Sequence, residues 1–211
     1  MVFYFTGTGN SLYIAKQIEK EPVSIPQIIK KDTLEFTEEA IGIVAPVYGH
    51  EVPLMVKEFL KKAVFHTDYF YMILTYGNRH GGAAELAEKL CEDCGIKADY
   101  INVIMMADNW LPSFDMEEQK KIDKKVEEHM DEILADLKVR KRMIAEVTDI
   151  DRAAHQQSAD RMSQMPSDAW QHLIRVTDAY MPVLPKRSGL PSRKKIPMPG
   201  TVTNILPCRR S

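Results

Sequence analysis

The sequence predicts an α/β fold, a three-layer sandwich in which a parallel sheet lies between helices on both faces. Three observations carry this prediction. The chain has 211 residues, enough for one α/β domain and an extension. Short apolar runs typical of buried parallel strands alternate with segments of helical spacing. The strongest runs end at glycine-containing loops, as strands do at the carboxyl edge of such a sheet.

The elements follow one another over the first 142 residues. Strands are predicted at 2–6, 23–25, 41–45, 69–74 and 100–106. Helices are predicted at 11–20, 52–63, 83–94 and 115–142, and the link 27–39 has room only for a short helical turn. The last helix carries an apolar stripe that we expect to face the sheet. Its members are Ile122, Val126, Met130, Ile133 and Leu137.

The remainder of the chain differs in composition, which predicts three parts. Residues 1–145 form the α/β domain. Residues 146–179 form an irregular or helical extension, with Trp170, Leu173 and Ile174 as its apolar anchors. Residues 180–211 are rich in proline, lysine and arginine, a composition typical of a disordered tail.

Charge is divided unevenly along the chain and narrows the classes of partner. Residues 180–211 hold seven lysines or arginines and no acid, and subtracting them from the net charge of −2 leaves −9 for residues 1–179. An acidic body argues against a nucleic-acid partner, because phosphate contacts need clustered positive charge. No apolar run approaches the ~20 residues of a membrane helix, and no signal peptide is visible. With only three cysteines, the expected location is the cytoplasm.

The loop after the first predicted strand has the composition of a phosphate site. It reads Thr6, Gly7, Thr8, Gly9, Asn10 and Ser11. Its glycines permit close backbone approach, its hydroxyl and amide side chains can donate, and the next helix offers free N–H groups and its positive dipole end. The loop lacks the lysine of a Walker loop and the spacing of a dinucleotide-binding fingerprint. The alternative is a structural strand–helix turn rich in small residues.

This loop resembles the phosphate loop of flavodoxins, Thr/Ser-x-Thr-Gly-x-Thr/Ser, and fits it at every specified position. The resemblance covers roughly residues 1–142. It implies a five-stranded sheet of order 2-1-3-4-5 and non-covalently bound FMN. The phosphate contacts it implies are Thr6, Thr8, Gly9, Asn10 and Ser11.

Two further loops match the flavin-facing loops of that family. The first contains Pro46, Val47, Tyr48 and Gly49, and Tyr48 is the candidate to stack on the flavin ring. Gly49 would let the adjacent peptide turn over and present its carbonyl to the reduced ring. His50, next in sequence, is expected to be a solvated loop residue.

The second flavin-facing loop contains Thr75, Tyr76, Gly77, Asn78 and Gly81. Tyr76 is expected on the other ring face, and the backbone groups of Gly77 and Asn78 at the polar edge of the ring. Alone, this segment is equally typical of a helix-entry loop punctuated by glycine.

A narrower resemblance extends over the rest of the chain. Bacterial proteins in which a flavodoxin module precedes a ferredoxin module carry similar Tyr-Gly, Tyr-Gly-Asn and Asp-Asn-Trp-Leu-Pro segments, the last of which ends in this chain with Trp110, Leu111 and Pro112. In those proteins Cys-x-x-Cys-x-x-Cys follows a short strand, whereas in this chain 176–179 leads into Tyr-Met-Pro. Cluster ligation needs thiolates at that spacing, so no iron–sulfur centre is expected in this chain. We interpret it as a truncated or frame-shifted relative.

Cys91 and Cys94 form a Cys-x-x-Cys pair at the end of a predicted helix. Redox pairs of this type open a helix, where the dipole lowers the thiol pKa. Cys91 continues an apolar face, so we expect core packing, and no second ligand pair indicates zinc.

These features lead to one main function and two alternatives. The main prediction is an FMN-binding protein that transfers electrons between redox partner proteins, with the cofactor supplying the chemistry. The first alternative is an FMN-dependent oxidoreductase acting on a small quinone-like substrate in a pocket walled by Tyr48, Tyr76 and Trp110. The second is a binding module of the same fold that has lost its cofactor.

Overall fold

Six parallel strands form the central sheet of the structure, a computed structural model that describes residues 1–108, 115–119 and 121–164. The strands of the chain are β1 (Val2–Tyr4), β2 (Val23–Ser24), β3 (Glu35–Thr37), β4 (Ala40–Pro46), β5 (Val64–His66), β6 (Tyr69–Tyr76), β7 (Tyr100–Met105) and β8 (Met143–Ile144). The helices are α1 (Asn10–Ile18), α2 (Ile25–Ile28), α3 (Leu54–Lys62), α4 (Ala83–Asp93), α5 (Met116–Gln119), α6 (Val126–Lys138) and α7 (Asp149–Ser163). Our predictions for Trp110, Trp170, Leu173, Ile174 and the basic tail lie outside the described residues.

The order of the main sheet is β2-β1-β4-β6-β7-β8. Its first five strands reproduce the flavodoxin-like order 2-1-3-4-5, so the predicted fold class is confirmed. The sheet has six strands rather than five because β8 pairs in parallel with β7. The two residues of β8 directly follow the helix predicted over 115–142, and no strand was predicted for them. Strands β3 and β5 pair separately as a small parallel sheet.

The sheet buries apolar side chains on both faces, which makes three layers. One face packs its strands against α1 and α6, with Ile14, Ala15, Met130 and Ile133 at the contact. The other face packs against α2, α3 and α4. A group of phenylalanine rings joins that second layer to the small sheet. Its members are Phe3, Phe36, Phe59, Phe65 and Phe70.

The single long helix predicted over 115–142 is wrong. Its two described helical pieces are α5 and α6, and Lys125 adopts φ 51° immediately before α6 begins. Ile122, counted in the apolar stripe, is 47% exposed, while Met130 and Ile133 are buried as expected. The pattern of apolar spacing continued through a break that the residues themselves do not mark with proline or glycine.

The extension after β8 continues as helix. Val147 is buried in the layer of α4, and α7 follows from Asp149. The chain divides into two units, Met1–Ser163 and Gln164–Ser211, and the helices and strands of the described residues all belong to the first. Among the described residues, no helix combines the length and apolar character that crossing a membrane requires.

Candidate cofactor site

Because all six strands of the main sheet are parallel, the loops that follow β1, β4, β6 and β7 leave it at the same edge. Strand β1 has β2 on one side and β4 on the other, so the strand order reverses direction at β1. A doubly wound sheet binds ligands at such a switch point, beyond the carboxyl ends of its strands. The three predicted loops are therefore brought together where that rule places a ligand.

The first loop, residues 5–9, ends at the amino terminus of α1. Gly9 caps this helix with φ 110° and offers no side-chain hydrogen bond to it. The backbone N–H of Gly9 is itself engaged within the loop, because it donates to Thr6 Oγ1 at 2.9 Å. The N–H groups of the first helical turn have no intrahelical acceptors, so they point at the loop as donors for an anion.

Two side chains of α1 anchor this loop to its neighbours. Ser11 is 1% exposed, and its hydroxyl pairs at 2.8 Å with that of Thr75, which is 3% exposed at the end of β6. The amide of Asn10 donates to the carbonyl of Ala107, 3.0 Å away in the segment after β7. Ser11 and Asn10 thus link α1 to the ends of β6 and β7, whereas Gly7 and Thr8 of the loop are exposed to solvent.

Tyr48 in the second loop lies across the first. A Cβ added at Gly7 would stand 2.3 Å from the Tyr48 hydroxyl, so only glycine permits this approach. The ring is 51% exposed, and its other neighbour is the edge of Phe5, with ring centroids 6.4 Å apart. Partial burial raises the pKa of Tyr48, which keeps the phenol neutral near pH 7. The Tyr48 ring therefore touches the first loop at Gly7 and leaves about half of its surface open to solvent.

The second loop is a tight reversal. Tyr48 and Glu51 exchange backbone hydrogen bonds of 2.8 and 3.2 Å. Between them Gly49 and His50 have φ of 59° and 69°, the positive values of a type I′ turn. Before the turn, Pro46 ends β4 and the Val47 amide donates to the Thr75 carbonyl at 2.8 Å, which ties this loop to the third.

The third loop is held against the segment that follows β7. A Cβ at Gly77 would meet the Asp108 carboxylate carbon at 2.5 Å, and Lys124 donates to the Gly77 carbonyl at 3.3 Å. Tyr76 is half-buried, and burial raises its pKa. Asn78 is exposed beside it. Asp108 opens the Asp-Asn-Trp-Leu-Pro segment noted from sequence, but its contact with Gly77 was not predicted, and Lys124 was missed, because no local pattern connects either residue to a loop more than 30 residues away.

His50 is not the solvated residue that the sequence led us to expect. Its ring packs on Gly81 of the third loop, where an added Cβ would lie 2.5 Å from the imidazole Cγ. Its Nδ1 is buried, and His155 of α7 lies beside it, with the two ring centroids 6.0 Å apart. The Gly81–Gly82 pair was the one sequence signal of a close approach at this place, and it did not reveal the histidine as the partner.

The cysteine pair lies at the carboxyl end of α4, as predicted. Cys91 is fully buried in the core and its thiol donates to the Met72 sulfur at 3.6 Å. Burial raises the pKa of Cys91 to about 12, the opposite of an activated thiol. Cys94 ends α4 and is half-buried. Core packing is therefore confirmed, and within the described residues no cluster of histidine, cysteine or acidic side chains could hold a metal ion.

Comparison with known proteins gives structural neighbours only. No family model matches the chain, and no curated protein matches it. A proposed flavoprotein from Bacteroides uniformis is 15% identical over 57% of this chain and 94% of that one, with a TM-score of 0.40. An archaeal flavodoxin is 16% identical over 62% and 96%, with a TM-score of 0.35. Two-electron reduced flavodoxin from Megasphaera elsdenii is 16% identical over 59% and 97%, with a TM-score of 0.37. At these scores the fold rests on the strand order itself.

Proposed function

We propose that this chain binds FMN non-covalently and carries electrons between protein partners. The observation that supports it most is the meeting of three loops at one edge of the sheet. There an uncapped helix terminus follows a glycine-containing loop, and the ring of Tyr48 lies across that loop. The helix terminus suits a phosphate, and the tyrosine ring suits a flat aromatic group. FMN contains both a phosphate and a flat ring, so the two features together favour FMN over a ligand that has only one of them.

The residues of the site fit the two ends of this cofactor. Thr6, Thr8 and the first turn of α1 would hold the phosphate, with Ser11 and Asn10 fixing the loop. Tyr48 and Tyr76 would flank the ring, and the backbone of the third loop would meet its polar edge. When bound, FMN would supply one- and two-electron chemistry. The chain's own part is to bind it, orient it and limit its contact with water.

The electron-transfer role is favoured by the charge of the chain. Residues 1–179 carry a net charge of −9, which favours basic protein partners by electrostatic steering and disfavours nucleic acid. No Cys-x-x-Cys-x-x-Cys segment is present in the sequence, so FMN would be the only redox centre of this chain. We further propose a cytoplasmic location and a relationship to the flavodoxin module of flavodoxin–ferredoxin fusion proteins.

The decisive measurement compares FMN with riboflavin, which has the same ring and no phosphate. Fluorescence quenching on titration should show tight FMN binding and weaker riboflavin binding. Thr8→Ala should lose about ten-fold or more in FMN affinity, because a hydrogen bond to a charged group contributes about 1.5–3 kcal/mol. Its riboflavin affinity should not change. Thr37→Ala, in β3 of the small sheet, is the matched control and should bind both ligands normally.

Three results would contradict parts of this proposal or favour another function. Free-flavin fluorescence at stoichiometric mixing contradicts the proposal and favours a module that has lost its cofactor. Equal losses of FMN and riboflavin affinity in Thr8→Ala contradict the assignment of the phosphate to the first loop. Steady NAD(P)H turnover by the purified, FMN-loaded protein favours an oxidoreductase acting on a small substrate.

A further inference from the structure

The rings of His50 and His155 are neighbours beside the second and third loops, and His80 is close enough to act on His50 electrostatically. His50 lies in the 48–51 turn, His80 lies in the loop after β6, and His155 lies on α7. The rings of His50 and His155 have centroids 6.0 Å apart at an angle of 55°. The ring of His80 meets that of Tyr76 edge-on at 5.1 Å. Half of the six histidines of the chain are therefore gathered beside the candidate cofactor site.

The nitrogens of this group are poorly satisfied. Nδ1 of His50 and Nδ1 of His155 are both buried and make no hydrogen bond to the described part of the chain. His80 donates from its Nδ1 to the Gly81 carbonyl at 2.8 Å. A nitrogen without an internal partner can gain a proton without breaking a hydrogen bond. Protonation of His50 at Nδ1 would therefore break no hydrogen bond within the described part of the chain.

Charges face His50 from every element around it. Glu51 follows it in the turn and pairs with Lys57 of α3, and His155 Nε2 lies 3.9 Å from the Glu51 carboxylate. Burial lowers the pKa of His50, and His155, Arg79 and His80 lower it further, while Asp151 of α7 acts in the opposite direction. His50 is accordingly neutral near pH 7, and an added negative charge nearby would favour its protonated form.

We propose that His50 takes up a proton from water when FMN bound at this edge is reduced. The inference rests on the proposed function. Electrons from a reduced protein donor, or from dithionite in an experiment, add negative charge at the site, and the imidazolium of His50 offsets that charge. No bond of the cofactor forms or breaks at His50. His50 acts on the redox equilibrium through its charge alone. The neighbouring His155 lowers the pKa of His50 and so sets the pH range in which the proton is taken up.

The test is a pair of measurements on the full chain loaded with FMN. The first is the midpoint potential from pH 6 to pH 8.5 for wild type, His50→Asn and His66→Asn. Asparagine tolerates the positive φ of position 50, and His66 ends β5 in the small sheet. Wild type and His66→Asn should have higher potentials than His50→Asn at pH 6, and the gap should vanish by pH 8.5.

The second measurement is the proton NMR titration of His50, assigned by its loss in His50→Asn, in the fully oxidised and fully reduced states. Its pKa should rise by about one pH unit on reduction, because a nearby opposite charge favours the charged form. An unchanged His50 titration, or the same potential–pH curve for wild type and His50→Asn, overturns the inference while leaving FMN binding intact. A chain that binds no FMN overturns both proposals.

A second variant keeps the test valid if His50→Asn fails to fold or to bind FMN. His155→Gln leaves the turn untouched and removes the imidazole whose electrostatic interaction lowers the pKa of His50. The pH-dependent part of the potential should then move to higher pH than in wild type. A curve identical to wild type, together with an unaltered His50 titration, overturns the role of the pair.

Discussion

Helices α4 and α7 both lie against the body of the molecule, but opposite kinds of contact hold them. The inner face of α4 consists of Ala83, Ala84, Ala87 and Cys91, all of which are 1% exposed or less. No described side chain of α7 is fully buried, and Ile150 is 79% exposed. The first helix is therefore held by apolar burial, which depends little on salt or pH, and the second is not.

The contacts of α7 are made by charged and polar groups. Arg152 donates to Glu85 of α4 at 2.5 Å and to Asp149 at 2.7 Å. The Asp151 carboxylate accepts from both the backbone and the hydroxyl of Thr148, an interaction that lowers its pKa. Because their contacts differ in kind, we expect the two helices to belong to different cooperative units, with α4 in the folding core and α7 able to detach from it.

The largest effect is expected from placing the same charge on the inner face of each helix. Ala87→Asp buries a carboxylate without a partner and should cost about 3 kcal/mol or more, or prevent folding. Ala154→Asp, on the half-buried inner face of α7, should cost less than about 1 kcal/mol. Helix propensity changes equally in the two variants, so urea unfolding followed by circular dichroism isolates the burial effect. Equal losses would show that α7 is part of the core.

A smaller effect is expected from the two cysteines of α4, which compare the inner face of that helix with its end. Cys91→Ser buries a hydroxyl in an apolar layer and should lower the free energy of unfolding by about 1–3 kcal/mol. Cys94→Ser, at the half-buried end, should change it by less than about 0.5 kcal/mol. The midpoints of urea unfolding measure both, and similar midpoints would contradict the burial of Cys91.

The same pair gives a chemical check. Since burial raises the pKa of Cys91 to about 12, its thiol stays protonated at pH 8 and iodoacetamide should leave it unmodified in the folded protein. Peptide mapping after alkylation should find Cys91 labelled only when urea is present. Labelling of Cys91 at the same rate as Cys94 without urea would mean that α4 opens locally.

The apolar half of this comparison could be predicted from the sequence. The runs that became β4 and β6, and the spacing that became α4, are set by local patterns that burial then selects. The loops at their ends could also be placed, because the carboxyl ends of parallel strands share an edge. The chemistry of those loops in binding FMN stays a prediction.

The charged and polar contacts of α7 and His50 could not be predicted from the sequence, for a physical reason. The positions of His155 and Arg152 relative to the loops depend on contacts across more than 60 residues of sequence, and charge–charge contacts leave no periodic signature. The break in the helix before α6 was not predicted either, because the apolar spacing continues through it. His50 was placed in solvent because its partners, Gly81 and His155, come from two other elements.

The smallest expected effect is that of salt on amide hydrogen exchange. It is also the most direct test of whether α4 and α7 are held by different kinds of contact. Raising the ionic strength from 0.1 to 1 M shortens the screening length from about 10 Å to about 3 Å. Amide hydrogen exchange in α7 should accelerate, while exchange in α4 and the urea midpoint should stay unchanged.

Arg152→Gln at low salt should reproduce the faster exchange of α7, because it removes the contacts to Glu85 and Asp149. Arg161→Gln is the matched control, since Arg161 is an exposed arginine of the same helix and no ion pair is seen for it in the described part of the chain. If α4 and α7 instead accelerate together, the two helices open as one unit. The Arg152–Glu85 contact would then couple the extension to the core rather than fasten a detachable helix to it.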